Sequence, residues 1–153
     1  MNLKNWKTYA FWVGISEAVG ILAGILTRDG TIIYGMHAIK PPLSPPDFLF
    51  PIVWTILYAL MGIVAARLYL AGRNRCINLF VAQLVVNFFW PLLFFNAQAY
   101  GFALIWLALL WFLVFALSQC ARKTDVVSSF LLVPYLLWLT FALYLNGAVW
   151  LLN

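Results

Sequence analysis

Apolar residues fill this chain in five long blocks, and nearly all of its charge is confined to the breaks between them. Residues 76–121 carry no formal charge at all, and their polar members are only Asn78, Gln83, Asn87, Asn96, Gln98, Ser118 and Gln119. A surface helix of a soluble domain would show a charged face over such a length. The run breaks at Asn96-Ala97-Gln98-Ala99-Tyr100-Gly101 into two segments of roughly 20 residues, the length a helix needs to cross a bilayer. The same reading along the chain predicts transmembrane helices over about 9–26, 47–70, 77–96, 101–120 and 126–152. Asp47 suits the N-terminus of the second. Pro51, Pro91 and Pro134 fall inside or near the starts of three spans, where prolines kink membrane helices without ending them.

The pattern therefore predicts an all-α integral membrane protein, a single five-helix transmembrane domain over residues 1–153. Three connections are short and force antiparallel neighbours. The connection 27–46 is long and contains Ile32, Ile33, Tyr34, Met36 and Ile39. Its apolar content predicts a partly folded lid over one mouth of the bundle. No internal repeat supports an inverted-repeat transporter.

Composition agrees: 66% of residues are hydrophobic and 8% charged, which places the chain in the membrane class. The net charge of +5 is no nucleic-acid footprint, because the cations flank the apolar blocks. Lys4, Lys7, Arg73, Arg75, Arg122 and Lys123 fall on one side, with Arg67 near them, and Arg28 and Lys40 on the other. The positive-inside rule then puts the N-terminus in the cytoplasm and the long loop and C-terminus outside, with a bacterial cell membrane as the expected location. The block 9–26 is longer than a signal-peptide core, holds Glu17 and ends in Thr27-Arg28-Asp29-Gly30 without a small-residue cleavage site, so a retained first helix is expected. Cys76 and Cys120 show no metal or CxxC spacing and are expected as free thiols.

Candidate chemistry lies on three helix faces. Gln83, Asn87, Trp90 and Phe94 share one face of the third helix by their i, i+4, i+7, i+11 spacing. Tyr135, Trp138, Ala142 and Asn146 repeat nearly that spacing on the fifth, and Trp54, Tyr58, Met61 and Gly62 share a side of the second. Carboxamides are costly against lipid tails and should point inward. An interior of indoles, phenols and amides resembles a ligand pocket. The plainer alternative is that amides join neighbouring helices and tryptophans pack or anchor at the interface. Glu17 is the one acid well inside a span, which makes it a candidate for a proton or ligand role, or for a bond to a neighbouring helix. Ser16, Gly20 and Gly24 form a row of small residues beside it that suits close helix packing or dimerisation. The single histidine, His37, lies in the long loop, so a metal or haem site built on histidine is unsupported. No nucleophile–base pair or nucleotide-binding fingerprint occurs, and no cofactor is expected.

Four ordered motifs resemble the TspO/MBR family, known as tryptophan-rich sensory protein, translocator protein or peripheral-type benzodiazepine receptor. Lys40-Pro41-Pro42-Leu43-Ser44-Pro45-Pro46 is similar to its loop-one KPxWxPP element. Val53-Trp54-Thr55-Ile56-Leu57-Tyr58-Ala59-Leu60-Met61-Gly62 is similar to its second-helix VWxxLYxxMG. Asn87-Phe88-Phe89-Trp90-Pro91-Leu92-Leu93-Phe94-Phe95 is similar to NxxWxxxFF in its third helix. The segment from Leu132-Val133-Pro134-Tyr135 through Trp138, Ala142, Leu145 and Asn146 is similar to LxPYLxWxxFAxxLN in its fifth. The resemblance implies a five-helix bundle that binds porphyrins, notably protoporphyrin IX, and benzodiazepine-type ligands in a pocket closed by loop one, often as a homodimer. It implies Trp54, Asn87, Trp90, Tyr135, Trp138, Ala142 and Asn146 as lining residues, with Tyr58 on the same face. A sensory or transport role follows; the alternatives are a photo-oxidative enzyme degrading tetrapyrroles and a regulatory interaction protein without transport. Leu43 stands where the loop motif usually has Trp, which speaks against the enzymatic alternative. The fifth-helix end lacks the Tyr and the following Arg or Lys of the animal cholesterol-recognition pattern, so cholesterol specificity is not expected.

Overall fold

A computed structural model describes residues 3–153, the first two residues lying outside it. A short 3₁₀ turn, Leu3–Asn5, leads into α1 (Trp6–Leu26). Then follow α2 (Arg28–His37), α3 (Leu49–Leu70), α4 (Asn74–Pro91), a π-helical segment Leu92–Asn96, α5 (Tyr100–Arg122), α6 (Val126–Leu131) and α7 (Val133–Leu152). Five spans are long and apolar enough to cross a membrane: Trp6–Leu26, Leu49–Leu70, Asn74–Asn96, Tyr100–Arg122 and Val126–Leu152. The chain is an all-helical integral membrane protein; no strand occurs among the described residues.

The prolines act locally. Pro91 lacks the N–H that would bond the carbonyl one turn back, and the helix widens just after it, with Ala97 N–H reaching the Leu92 carbonyl at 3.0 Å. Before Pro134 the fifth span breaks into α6 and α7 at Leu132. The second span begins at Leu49, and Asp47 stands outside it in an ion pair with Lys40 at 3.0 Å.

The closest backbone packing is α1 on α3, α4 on α5 and α5 on α7. Glycine sets the first of these. A Cβ on Gly62 would run into the Val13 backbone, and one on Gly20 into the Tyr58 ring. Ser16 is fully buried and returns its hydroxyl to the Trp12 carbonyl at 2.9 Å. Two of the three small residues thus serve packing within the bundle, while Gly24 meets nothing.

The long connection is ordered. α2 lies against the π segment, with Gly30 seated on Phe95 and Asn96, and Asn96 Nδ2 donates to the Leu26 carbonyl at 2.9 Å. The extended stretch that follows is tied to the end of α7. Ile39 and Asn153 exchange two hydrogen bonds of 3.0 Å, and Tyr144 Oη donates to the Pro42 carbonyl at 2.8 Å.

The cysteines correct an expectation: Cys76 and Cys120 are joined by a disulfide. α4 and α5 form an antiparallel hairpin, and the two cysteines lie equally far from its turn, in the first turn of one helix and the last of the other. Spacing rules for metal or redox motifs do not detect a pair whose proximity comes from helix geometry.

Candidate functional site

The three polar-aromatic faces meet between α3, α4 and α7. Tyr58 Oη donates to Asn87 Oδ1 at 2.7 Å, Asn87 Nδ2 donates to Tyr135 Oη at 2.5 Å, and Tyr135 Oη donates to Gln83 Oε1 at 2.9 Å. Gln83 Nε2 then reaches Met61 Sδ at 3.8 Å, one turn beyond Tyr58 on α3. The chain of donors therefore leaves α3, crosses α4 and α7 and returns to α3. Its members are desolvated: Gln83 is 0% exposed, Tyr135 1%, Asn87 2% and Tyr58 6%.

Such burial requires partners, since an orphaned amide or hydroxyl in this setting costs on the order of 1–3 kcal/mol. Every buried side-chain nitrogen and oxygen among the described residues has one. All groups are neutral, so the bonds they make are short-ranged and directional.

A second polar contact lies closer to loop one. Trp90 Nε1 donates to Asn146 Oδ1 at 3.1 Å, and Asn146 Nδ2 donates to the Tyr100 carbonyl at 2.8 Å. Around it Trp90 stacks on Phe94, with ring centroids 5.3 Å apart, and Tyr34 from α2 sits 5.3 Å from Phe94. Burial and the neighbouring Tyr100 and Asp47 push the Tyr34 phenol up to about 12, so it remains a neutral donor. Further aromatic contacts flank the first polar group and line α7. Trp54 lies 5.7 Å from Tyr58 and 6.3 Å from Tyr135, and Trp138 lies 5.8 Å from Phe50 and 5.6 Å from Phe141. Trp54, Trp90 and Trp138 are half-buried, whereas Ala142 is buried in the core.

Residues 12–151 match the TspO/MBR family profile. The chain belongs to the TspO/MBR family. A tryptophan-rich protein TspO from Chlorobaculum tepidum is 36% identical over 98% of each chain. A tryptophan-rich sensory protein from Cereibacter sphaeroides is 36% identical over all of this chain and 95% of its own. The human translocator protein is 33% identical over 72% of this chain and 69% of its own. These names describe sensory and translocator proteins of a membrane family, not enzymes.

Within this TspO/MBR chain the predicted residues form two groups. Tyr58, Asn87 and Tyr135 are hydrogen-bonded to one another beside Trp54, and Trp90 is bonded to Asn146. Trp138 packs against the core cluster that holds Tyr58 and Tyr135 and meets Phe50 edge to face. Glu17 is half-buried on α1 and stands outside the hydrogen-bonded set. Leu43 is 80% exposed in the loop, with a positive φ of 67° that side chains other than glycine rarely adopt. His37 ends α2 exposed, and no metal-holding cluster of His, Cys, Asp or Glu exists among the described residues.

Sequence reasoning did not find Phe50, Tyr34 or the Tyr100 carbonyl as neighbours of the site. The apolar content of loop one was the only signal for Tyr34. Trp106 and Trp111 act as scaffold: their indoles donate to the Val86 carbonyl at 2.8 Å and to Thr140 Oγ1 at 3.0 Å.

Proposed function

We propose that this chain binds a flat hydrophobic ligand of the porphyrin type between α3, α4 and α7, as a membrane receptor or carrier. The observation that carries the reading is the convergence of neutral amides and phenols with indole walls at a place where α3 and α7 meet through long side chains. Packing alone would be served by apolar residues. The donors Tyr58, Asn87, Trp90 and Asn146 offer hydrogen bonds for polar substituents of a macrocycle, and Trp54 and Trp138 offer faces for stacking. The fully paired network is the closed arrangement, and a ligand would exchange these internal bonds for its own. Loop one, tied to α7 through Pro42 and Ile39, is the cover that opens for entry.

The test is an absorbance titration of protoporphyrin IX with purified protein in detergent. Saturable binding is expected, weakened at least tenfold in Trp138→Ala and Asn87→Ala. Unchanged affinity in both variants would remove this assignment. From the distribution of cations we place the N-terminus on the cytoplasmic side of a bacterial membrane, and we read the working form as a homodimer. That orientation puts the Cys76–Cys120 disulfide at the cytoplasmic end and requires it to withstand cellular reductant. Reporter fusions at each terminus and cross-linking in membranes test these two readings.

A further inference from the structure

A depression lies at the end of the bundle opposite loop one. It is a groove of about 750 Å³ where the α3–α4 connection meets the end of α5. Arg73, Arg75 and Lys123 line it, with the amides of Asn78 and Gln119, and the Cys76–Cys120 disulfide joins its two walls. None of these three cations has an acidic partner, because the two ion pairs among the described residues are Lys40–Asp47 and Arg67–Asp125. The acid inventory explains this. Of the four acids, Glu17 is within a span, Asp29 and Asp47 belong to the far end, and Asp125 is taken by Arg67.

The groove is also the start of α4. Its first helical bond runs from the Ile77 N–H to the Arg73 carbonyl at 3.0 Å, and no side chain caps the N–H groups ahead of it. The positive end of that helix dipole adds to the three cations. One turn deeper along the spans, the lining becomes apolar at Leu79 and Ala116. The site thus grades from cationic at the height where spans end to apolar within them. A soluble anion would use only the first half of that gradient; a phospholipid would use both.

We propose that this groove is a binding site for the phosphate headgroup of an anionic phospholipid, with Arg73, Arg75 and Lys123 as its ligands and the disulfide holding its walls in register. The acyl chains run down the α4–α5 surface from Leu79 and Ala116. Loss of one cation should weaken binding on the order of fivefold.

The experiment uses the full chain in nanodiscs and in detergent. Native mass spectrometry and thermal melting compare phosphatidylglycerol, phosphatidylcholine and inorganic phosphate. Phosphatidylglycerol should be retained preferentially and should raise the melting temperature, whereas phosphatidylcholine and phosphate should not. Arg75→Gln and Lys123→Gln should each reduce that preference, and the pair together should nearly abolish it. Lys7→Gln, a cation on the same side but outside the groove, should leave it intact. Protection by inorganic phosphate equal to that by phosphatidylglycerol would overturn the lipid assignment in favour of a free anion. An equal loss in Lys7→Gln, or an undiminished preference in the double variant, would overturn the groove in favour of general surface charge. Melting in phosphatidylcholine alone reports whether each variant is folded.

Discussion

The hydrogen bond from Tyr58 to Asn87 permits a direct test of whether the buried network stabilises the fold as a unit. Tyr58→Phe removes the donor and leaves Asn87 Oδ1 without its 2.7 Å partner. Asn87→Leu removes the acceptor of Tyr58 and also the donor to Tyr135, which still donates to Gln83. Each single change leaves a polar atom stranded in a site at most 6% exposed, at a cost of about 1–3 kcal/mol. The double variant strands neither member of the first pair, so it should be less unstable than the sum of the singles. Hydrogen bonds between membrane helices average about 0.6 kcal/mol and reach about 1.7 in such cycles. Full desolvation and the shared partner Asn87 place the expected coupling in the upper half of that range. The assay is reversible unfolding of the detergent-solubilised protein by increasing SDS fraction, followed by far-ultraviolet circular dichroism. Singles that add to within about 0.3 kcal/mol would refute the reasoning, since independent sites behave that way. So would an Asn87→Leu protein as stable as the parent.

Further outcomes follow from other contacts. Gly62→Ala should destabilise by about 1–3 kcal/mol, because its Cβ meets the backbone of Val13 and the α1–α3 seam must open. Gly14→Ala, which meets nothing, should be neutral or stabilising by up to about 1 kcal/mol in the same assay. Cys76→Ser with Cys120→Ser removes a cross-link closing a separation of 44 residues. The chain-entropy value of about 4 kcal/mol is an upper bound, because residual structure in a denatured chain already restricts the loop. A loss of about 1–2 kcal/mol is expected, and the same loss should appear on adding reductant to the parent. The Arg67 hydrogen bonds, aided by Ser128, hold the Asp125 carboxyl down at about 2 from its ordinary 3.8. Its stabilisation is therefore complete above about pH 4 and disappears as the pH falls through about 2. Solvent screening of this partly open pair leaves about 1 kcal/mol, so Asp125→Asn should flatten the acid limb of a stability-versus-pH curve by that amount.

The sequence by itself determined the solvent, the number of spans and which side chains had to turn inward. Uncharged apolar runs of bilayer length admit only helices when backbone groups have no water to bond, and helical periodicity then puts Gln83, Asn87 and Trp90 on one face. Motif resemblance reached as far as the TspO/MBR family, because its signatures are local strings. Contact across the bundle was decided elsewhere. Nothing in the spacing on α4 says that Asn87 bridges Tyr58 to Tyr135, or that Asn146 takes its bond from Trp90, since those choices depend on how far apart α3, α4 and α7 stand. Cys76 and Cys120 read as unrelated thiols until the α4–α5 hairpin brought them to one height. The Ser16, Gly20 and Gly24 row left packing and dimerisation open; the approach of Tyr58 to Gly20 and the burial of Ser16 put those two in the bundle, while Gly24 meets nothing within it. Loop one showed its apolar content in the sequence, but only the contacts of Gly30, Ile39 and Pro42 fixed where it lies. Periodicity gives direction relative to one helix axis; partner identity requires the relative placement of axes, and that is a property of the packed structure alone.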